Sequence, residues 1–336
     1  MAVAADEIGP ALTAELARQW EQDVEVVALR RLSGGASMET WSLDVRRDAV
    51  TVPAILRCDR RGAAPGGAVR VDRPDERRVL ELVHDRGVPV PAVLAGGDRE
   101  SALGMTWLLM ERLEGETIAR KLLRDDAFAS ARPLVTGQCA RALAGIHTVT
   151  AAEAAFLGPP RDAESMLREQ LDLLDMLGEP SPAFEFGVRW LLGHLPPPVE
   201  PALVHGDFRT GNLMIGPDGL RGVLDWELAH VGDPREDLGW FCVRAWRFGN
   251  DAAVAGGFGS REELVTAYAE ASGRDVDIDA VRFWETCGTL RWGIMCMVQA
   301  AGHLSGAVRS VELAAIGRRV SENEHDLLEL IAAAAG

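Results

Sequence analysis

The pattern of apolar residues changes once along this chain of 336 residues, and that change constrains the fold most. Before about residue 114, short apolar runs alternate with turns rich in glycine and proline, which is typical of a small β-sheet. Beyond residue 116, apolar residues mostly recur at helical spacing, and short strand-like runs return only between 203 and 225. We therefore expect an α+β fold of two domains, a small β-rich N-terminal lobe over residues 1–114 and a larger helical C-terminal lobe over residues 115–336.

Turn residues and prolines delimit the expected elements. Pro74 can open a helix at little cost, because the first helical position has no partner for the N–H that proline lacks, and this helix is expected to end near Arg86. In the C-terminal lobe, residues 133–149 have helical spacing, and residues 151–195 are expected to form a helical insertion. The expected strands of the N-terminal lobe are 24–32, 40–45, 54–57, 88–95 and 105–111.

Composition and charge exclude several classes of protein. Hydrophobic residues make up 47% of the chain, which supplies enough apolar side chains for two cores and excludes wholesale disorder. With 35 basic and 51 acidic residues, the formal net charge of −16 argues against nucleic acid or an anionic membrane as a partner, since both attract positive surfaces. The longest apolar stretch, 292–302, is too short to span a bilayer, and residues 1–10 lack the basic and apolar segments of a signal peptide.

The cysteines indicate a reducing compartment. There are five of them, an odd number, and they are widely spaced without a C-x-x-C pair. This arrangement is neither a disulfide framework nor a zinc ribbon. We therefore expect a cytoplasmic protein with free thiols. The cysteines are Cys58, Cys139, Cys242, Cys287 and Cys296.

The segment 203–215 contains the residues with the clearest chemistry. Asp207 is followed two positions later by Arg209 and five positions later by Asn212, and Asp225 ends the next strand-like run. A carboxylate can orient an acceptor hydroxyl and take its proton, while a nearby cation offsets charge on a transferring phosphoryl group. An amide oxygen and a second carboxylate are ligands suited to Mg²⁺. These residue types in this order predict phosphoryl transfer.

These motifs resemble the aminoglycoside phosphotransferase (APH) superfamily, whose members share the protein-kinase fold and its spacing from catalytic aspartate to asparagine. The resemblance extends from about Val24 to Val320. More narrowly, the motifs resemble a bacterial branch of the superfamily that is similar to the kinase-like domains of some acyl-CoA dehydrogenases. It implies a protein-kinase-like bilobal fold. The motifs that carry it are Gly34-Gly35-Ala36-Ser37, His205-Gly206-Asp207-Phe208-Arg209, Asp225-Trp226-Glu227 and Gly232-Asp233-Pro234-Arg235-Glu236-Asp237-Leu238.

The resemblance implies a nucleotide site in the N-terminal lobe and the linker that follows it. Arg57 stands where the family usually carries a lysine, and it would contact the α- and β-phosphates and pair with Glu76. Arginine keeps the positive charge but replaces a point charge with a planar fork. The purine would meet the backbone of Met110, Glu111 and Leu113. The turn that covers the phosphates, where small residues let backbone N–H groups approach, would be Ser33, Gly34, Gly35, Ala36 and Ser37.

The resemblance also implies roles in the C-terminal lobe. Asp207 would be the catalytic base, and Arg209 would stabilise charge in the transition state. Asn212 and Asp225 would bind Mg²⁺. Asp237 is expected to brace the catalytic loop from the helix that follows it. The enzyme would be a phosphotransferase with an alcohol group as acceptor, using ATP or GTP and acting on a small hydroxylated metabolite, with a hydroxyacyl thioester favoured over an antibiotic.

Other functions stay open beside this one. An aminoglycoside-modifying phosphotransferase would need acidic residues that converge on the acceptor, and residues 162–175, Glu262 and Glu263 supply acids without showing that they converge. A catalytically silent nucleotide-binding scaffold would have lost the base or a metal ligand, and none is lost. Nucleotidyl transfer is disfavoured by the H-x-D segment followed by asparagine. A protein kinase is disfavoured because there is no A-P-E segment and residues 225–237 are too few for a typical activation loop.

Overall fold

The computed structural model describes residues 5–32, 38–59 and 71–335. Within these ranges, none of the helices has both the length and the apolarity that a membrane crossing requires. The order of elements separates a β-rich first third from a mainly helical remainder, as the pattern of apolar residues predicts.

The chain divides into two compact units. Unit 1 contains Met1–Gly115 and the short segment Arg221–Ala229. Unit 2 contains Glu116–Leu220 and His230–Gly336. Unit 1 carries a five-stranded sheet and unit 2 most of the helices, which confirms the α+β class.

The five strands of unit 1 form one antiparallel sheet in the order β1-β2-β3-β5-β4. One helix packs against β1, and a second packs against β4 and β5. The elements are α1 (Ala5–Trp20), β1 (Val24–Arg31), β2 (Met38–Arg47), β3 (Val50–Asp59), α2 (Arg73–Asp85), β4 (Val93–Gly97) and β5 (Trp107–Glu111).

Strand β3 determines where Arg57 lies. Ala54, Leu56 and Cys58 have no exposed surface and belong to the core of unit 1. Because successive side chains of a strand point to opposite faces of the sheet, Arg57 lies on the other face. Arg57 is opposite Thr40 of β2 in the register of the sheet. The alternation of apolar and charged residues thus aims this guanidinium away from the core.

The structure corrects two expectations for unit 1. Helix α1 was not expected, although Ile8, Leu12 and Leu16 recur every four residues, and all three are buried in the core. The strand expected over 88–95 begins only at Val93, because the prolines before it lack the N–H that a strand pairing needs. Helix α2 matches its expected span, and the Asp72 side chain accepts a hydrogen bond from the Asp75 N–H at its start.

Unit 2 contains short strands and most of the helices. Strands β6 and β9 pair antiparallel, and β7 and β8 form a two-stranded sheet. Strand β8 (Gly219–Val223) begins in unit 2 and ends in unit 1. The other elements are α3 (Ala119–Arg124), α4 (Arg132–Ile146), α5 (Ala163–Leu177), α6 (Pro182–Leu192), β6 (Ala202–Val204), β7 (Leu213–Gly216), β9 (His230–Gly232), α7 (Arg235–Cys242), α8 (Arg261–Ser272), α9 (Ile278–Leu304), α10 (Val311–Gly317) and α11 (Val320–Ala335).

The insertion expected over 151–195 is helical and forms part of the core of unit 2. Helices α5 and α6 bury Leu167 and Phe184 against α9 and α11, which contribute Leu290 and Leu327. Helix α9 has 27 residues and packs against α6, α7, α10 and α11. Helix α9 is therefore the central helix of unit 2.

The buried cysteines lead to a prediction about thiol reactivity. All five are free and buried. Burial raises the pKa of the Cys58, Cys287 and Cys296 thiols to about 12, and it raises the pKa of Cys139 and Cys242 as well. Since the thiolate is the reactive form, we expect none of them to react with an aromatic disulfide reagent at pH 8 in the native protein. Five thiols should react in denaturant, and rapid labelling in native buffer would contradict the burial.

Candidate active site

The loop between β6 and β7 is held by one buried carboxylate. Asp237 on α7 accepts hydrogen bonds from the backbone N–H groups of His205 at 2.8 Å and Gly206 at 3.0 Å. Gly206 has φ +77°, a conformation that glycine adopts without strain. His147 Nε2 lies 3.2 Å from the same carboxylate, and its Nδ1 lies 2.8 Å from the Tyr268 hydroxyl. The bracing contact expected of Asp237 is therefore present.

Electrostatics keep Asp237 in its charged form. Burial by itself would raise the pKa of this carboxyl group. The hydrogen bond from His147, the nearby imidazole of His205 and its N–H outweigh burial, so the pKa of Asp237 lies below its ordinary value. A carboxylate can only accept, so His147 Nε2 donates to it, and His147 Nδ1 forms a hydrogen bond with the Tyr268 hydroxyl.

The Asp207 carboxylate lies in the middle of a second cluster. Its Oδ1 accepts from Arg209 Nε at 3.1 Å and from Trp240 Nε1 at 3.0 Å. Its Oδ2 accepts from Arg209 Nε at 3.1 Å and from Asn212 Nδ2 at 2.7 Å. The side chain is 14% exposed, which leaves it accessible from one side. The structure thus brings together Asp207, Arg209 and Asn212, as the sequence predicts.

Arg209 and Asn212 are oriented by further contacts. The Arg209 guanidinium lies 5.0 Å from the centroid of the Trp246 ring, a cation–π arrangement. Asn212 Nδ2 also donates to the Asp207 backbone carbonyl at 2.9 Å. Because both contacts of Asn212 use its NH₂ group, its carbonyl oxygen is the atom suited to a cation.

Unit 1 contains a line of alternating charges. Arg57 Nη1 donates to Glu76, and Arg57 Nη2 donates to Asp225 Oδ1 at 3.0 Å. Arg73 Nη1 donates to the other oxygen of Glu76, and its Nε lies 3.6 Å from Asp59 Oδ1. Glu76 has no exposed surface. Burial, followed by the charge of Arg57, lowers the pKa of Arg73 to about 10. The expected pairing of Arg57 with Glu76 is present, together with a second arginine.

Asp225 lies two residues after the end of β8. Its φ is +66°, a left-handed conformation that aspartate tolerates better than most residues and that is often found at functional sites. Trp226 is buried and its indole donates to the Val223 carbonyl at 3.2 Å. The Glu227 carbonyl accepts from the Val71 N–H at 2.9 Å. The Asp225 side chain is 34% exposed.

The remaining residues expected at a nucleotide site differ in their exposure to solvent. Met110 is 6% exposed on β5, Glu111 is exposed at its end, and Leu113 is half-buried beyond it. The Glu111 N–H donates to the Ala92 carbonyl at 2.9 Å. The expected phosphate-covering turn lies outside the described residues; it comprises Ser33, Gly34, Gly35, Ala36 and Ser37.

The two side chains expected to bind Mg²⁺ each carry an oxygen of the kind that hard cations prefer. The described residues contain no group of three or more His, Cys, Asp or Glu side chains arranged to hold a metal. Mg²⁺ does not require one, because it usually takes one or two protein carboxylates together with water and substrate phosphates. Asn212 in unit 2 and Asp225 in unit 1 each offer an oxygen of the right kind.

Comparison with known proteins decides the family. The model of the phosphotransferase enzyme family (APH) matches residues 28–275, which is most of the chain. The chain belongs to this phosphotransferase family. The resemblance drawn from its motifs is confirmed.

Curated relatives of this phosphotransferase are larger proteins. Acyl-CoA dehydrogenase family member 10 of Mus musculus is 31% identical over 200 residues, which cover 56% of this chain and 18% of the relative. Acyl-CoA dehydrogenase family member 11 of Gallus gallus is 28% identical over 231 residues, covering 66% of this chain and 28% of the relative. The match thus spans less than a third of the length of either relative.

Solved structures confirm the fold of the phosphotransferase. A Ralstonia eutropha protein, provisionally assigned as an aminoglycoside phosphotransferase, has a TM-score of 0.74 at 22% identity, covering 96% of this chain and 97% of its own. The macrolide 2′-phosphotransferase of Brachybacterium faecium has a TM-score of 0.57 at 20% identity, covering 93% and 97%. The GDP complex of aminoglycoside 2′-phosphotransferase-IIIa has a TM-score of 0.62 at 15% identity, covering 95% and 99%. The expected protein-kinase-like fold, with a β-rich N-terminal and a helical C-terminal lobe, is correct.

Two residues of the candidate site were not predicted from the sequence. Arg73 shares Glu76 with Arg57, and Trp240 donates to Asp207. A signal existed in both cases, because residues three apart on a helix lie on one face. Arg73 stands three before Glu76 on α2, and Trp240 stands three after Asp237 on α7.

Proposed function

We propose that this phosphotransferase transfers the γ-phosphoryl group of ATP or GTP to a hydroxyl group of a small metabolite, with Asp207 as the catalytic base. The observation that carries the proposal is the Asp207 carboxylate, partly exposed and held by donors from Arg209, Asn212 and Trp240. A carboxylate fixed in this way can accept a proton at a defined point, as acceptor activation requires.

The reaction proposed for Asp207 and Arg209 of unit 2 is a single displacement at the γ-phosphorus. Asp207 takes the proton of the acceptor hydroxyl as its oxygen attacks the γ-phosphorus. The bond from the γ-phosphorus to the bridging oxygen breaks, and the nucleoside diphosphate leaves with that oxygen. Arg209 uses its Nε toward Asp207, so its two Nη groups are the donors suited to the transferring phosphoryl group.

The nucleotide would be held by groups of unit 1. Arg57 would contact the α- and β-phosphates while Glu76 keeps its guanidinium in place. Residues 33–37 would cover the phosphates, and the backbone of Met110, Glu111 and Leu113 would meet the purine. Asn212 and Asp225 would hold Mg²⁺, which neutralises phosphate charge when bound.

The acceptor proposed first is a hydroxyacyl thioester. The names of the curated relatives, acyl-CoA dehydrogenases, support an acyl thioester as the compound class. An aminoglycoside has less support, because several acids that could attract it have local partners. Glu164 and Glu169 pair with Arg168 and Arg161, and Glu263 caps α8. The free cysteines support a reducing compartment such as the cytoplasm.

We expect ATP or GTP to stabilise the protein against heat only when Mg²⁺ is present. A ligand at 100 times its Kd adds about 2.7 kcal/mol to the free energy of unfolding, which a thermal-shift titration detects. Asp225→Ala should remove this Mg²⁺-dependent shift. Asp275→Ala, a change at an exposed aspartate of unit 2, should keep the whole shift.

The acceptor is then identified by nucleoside diphosphate release. Hydroxyacyl thioesters, choline and aminoglycosides are compared at equal concentration with wild-type protein. Turnover with the thioesters supports the proposal, and turnover with aminoglycosides alone would replace it by the resistance function. A protein that is stabilised by nucleotide but turns over no alcohol would be a silent scaffold. No shift with either nucleotide would contradict the nucleotide site.

A further inference from the structure

We propose that Trp240 is a positioning residue that fixes the orientation of the Asp207 carboxylate, an inference that rests on the proposed function. The Trp240 indole Nε1–H donates to Asp207 Oδ1 at 3.0 Å. Trp240 lies on α7 and is 1% exposed. A side chain buried to this extent has no surface for a substrate, so its influence on the reaction passes through Asp207.

Trp240 differs from the other two donors to this carboxylate. Arg209 and Asn212 each have further polar atoms, and the proposed mechanism gives them a phosphoryl group and a cation as additional partners. Indole has one N–H and no acceptor atom, so Trp240 has a single polar contact to make. It can hold Oδ1 throughout the reaction while the contacts of Arg209 and Asn212 change.

Close packing of α7 on α9 holds the indole in place. A Cβ atom on Gly288 of α9 would lie 3.1 Å from Trp240 Cε3 and 2.8 Å from Val243 Cγ2. A Cβ atom on Gly239 of α7 would lie 2.4 Å from Trp284 Cβ. The two glycines let the helices approach, and rotation of the indole away from Asp207 would require α9 to move.

Charge and aromatic contacts hold the ring as well. The Arg291 guanidinium lies 5.2 Å from the centroid of the Trp240 ring, within the range of a cation–π interaction. Arg291 is itself fixed by Glu236, whose Oε1 lies 2.7 Å from Arg291 Nη1. The centroids of the Trp246 and Trp240 rings are 5.4 Å apart, and the Arg209 guanidinium packs over the same Trp246 ring. One aromatic pair therefore supports both the proposed base and its neighbouring cation.

The loss of one donor should affect the chemical step more than binding. Proton transfer needs the carboxylate oxygen in line with the acceptor hydroxyl, and small misplacements of reacting groups lower rates strongly. The nucleotide contacts proposed for Arg57 and Asp225 lie on unit 1 and do not involve Trp240. Hence kcat should fall while the KM for nucleotide stays nearly constant.

The test is Trp240→Phe, which keeps an aromatic ring in the core and removes the N–H. Hydrogen bonds to a charged group contribute enough that kcat should fall about 10- to 100-fold. Trp284→Phe is the matched control, because Trp284 is also 1% exposed in the α7–α9 contact, and its Nε1 has no hydrogen-bond partner among the described residues. That control should keep kcat within about twofold of wild type, since no hydrogen bond is lost.

The outcomes separate this inference from the function on which it rests. Wild-type protein without turnover on any acceptor overturns the proposed function and the inference with it. Wild-type turnover with an unchanged kcat in Trp240→Phe overturns the inference alone. Equal losses of kcat in Trp240→Phe and Trp284→Phe also overturn it, because a general packing effect would then explain both.

A second measurement leaves position 240 unchanged and covers the case in which Trp240→Phe does not fold. In protein labelled with ¹⁵N-tryptophan, an indole N–H bonded to a carboxylate should resonate downfield of the unbonded ones. Asp207→Ala should move that resonance upfield, and Asp275→Ala should leave it in place. If no downfield indole resonance responds to Asp207→Ala, the contact is absent in solution and the inference fails.

Discussion

Replacing Asp207 by alanine is expected to lower kcat by about 10²- to 10⁴-fold, the usual contribution of a positioned general base. The affinity for nucleotide should remain nearly unchanged, because the contacts proposed for the phosphates involve Arg57 and the turn 33–37. Asp207→Asn should be almost as impaired, since an amide keeps the shape and two of the polar contacts but cannot take a proton. Single-turnover kinetics and a nucleotide titration measure the two quantities separately.

The controls for this prediction use the same residue type elsewhere in unit 2. Asp275→Ala changes an exposed aspartate and should retain wild-type kcat. A thermal melt of each variant checks that lost activity is not lost folding. Near-normal turnover in Asp207→Ala would refute the assignment of the base, and loss of nucleotide binding would indicate that Asp207 has a structural role instead.

Replacing Asp237 by alanine is expected to lower the free energy of unfolding by about 3–5 kcal/mol, as for other buried charges that lose one partner. The reason is that the N–H groups of His205 and Gly206 and the imidazole of His147 would remain buried without their acceptor. Asp237→Asn should cost less, because an amide oxygen can still accept from the loop. Urea denaturation at pH 7 measures both changes, and Asp275→Ala is the unaffected control.

The pH dependence of this effect has a definite sign. The pKa of Asp237 is lowered in the folded protein, so its charged form stabilises the fold above the ordinary aspartate pKa. That stabilisation is lost as the pH falls through the lower, folded pKa. The difference in unfolding free energy between wild type and Asp237→Asn should therefore be constant from pH 7 to about pH 5 and shrink below about pH 4. A difference that grew toward acid would contradict the lowered pKa.

The sequence predicts most of the fold because its strongest signals are local. Turns and apolar spacing locate the sheet and the long helices, and the short segment around Asp207 carries its own chemistry. Helix α1 was missed even though three residues, Ile8, Leu12 and Leu16, recur every four positions and are buried against the sheet. Strand β4 starts late, at Val93, because Pro89 and Pro91 lack the N–H that strand pairing needs. This effect outweighs the strand preference of the β-branched residues Val88 and Val90.

Contacts between distant parts of the chain were harder to predict. The Trp240 indole reaches Asp207 across 33 positions, and its spacing from Asp237 on α7 does not indicate which group it contacts. Arg73 shares Glu76 with Arg57 because α2 lies over the face of the sheet opposite the core. Pairings of this kind depend on tertiary packing, so spacing on a helix indicates only which face they occupy.

The burial of every cysteine has a practical consequence for spectroscopy. Since Cys58, Cys139, Cys242, Cys287 and Cys296 are all buried, a cysteine introduced on the surface would be the one reactive thiol in the native protein. Dyes could then be attached at chosen points, one on each unit, without first removing native sulfur atoms from the cores.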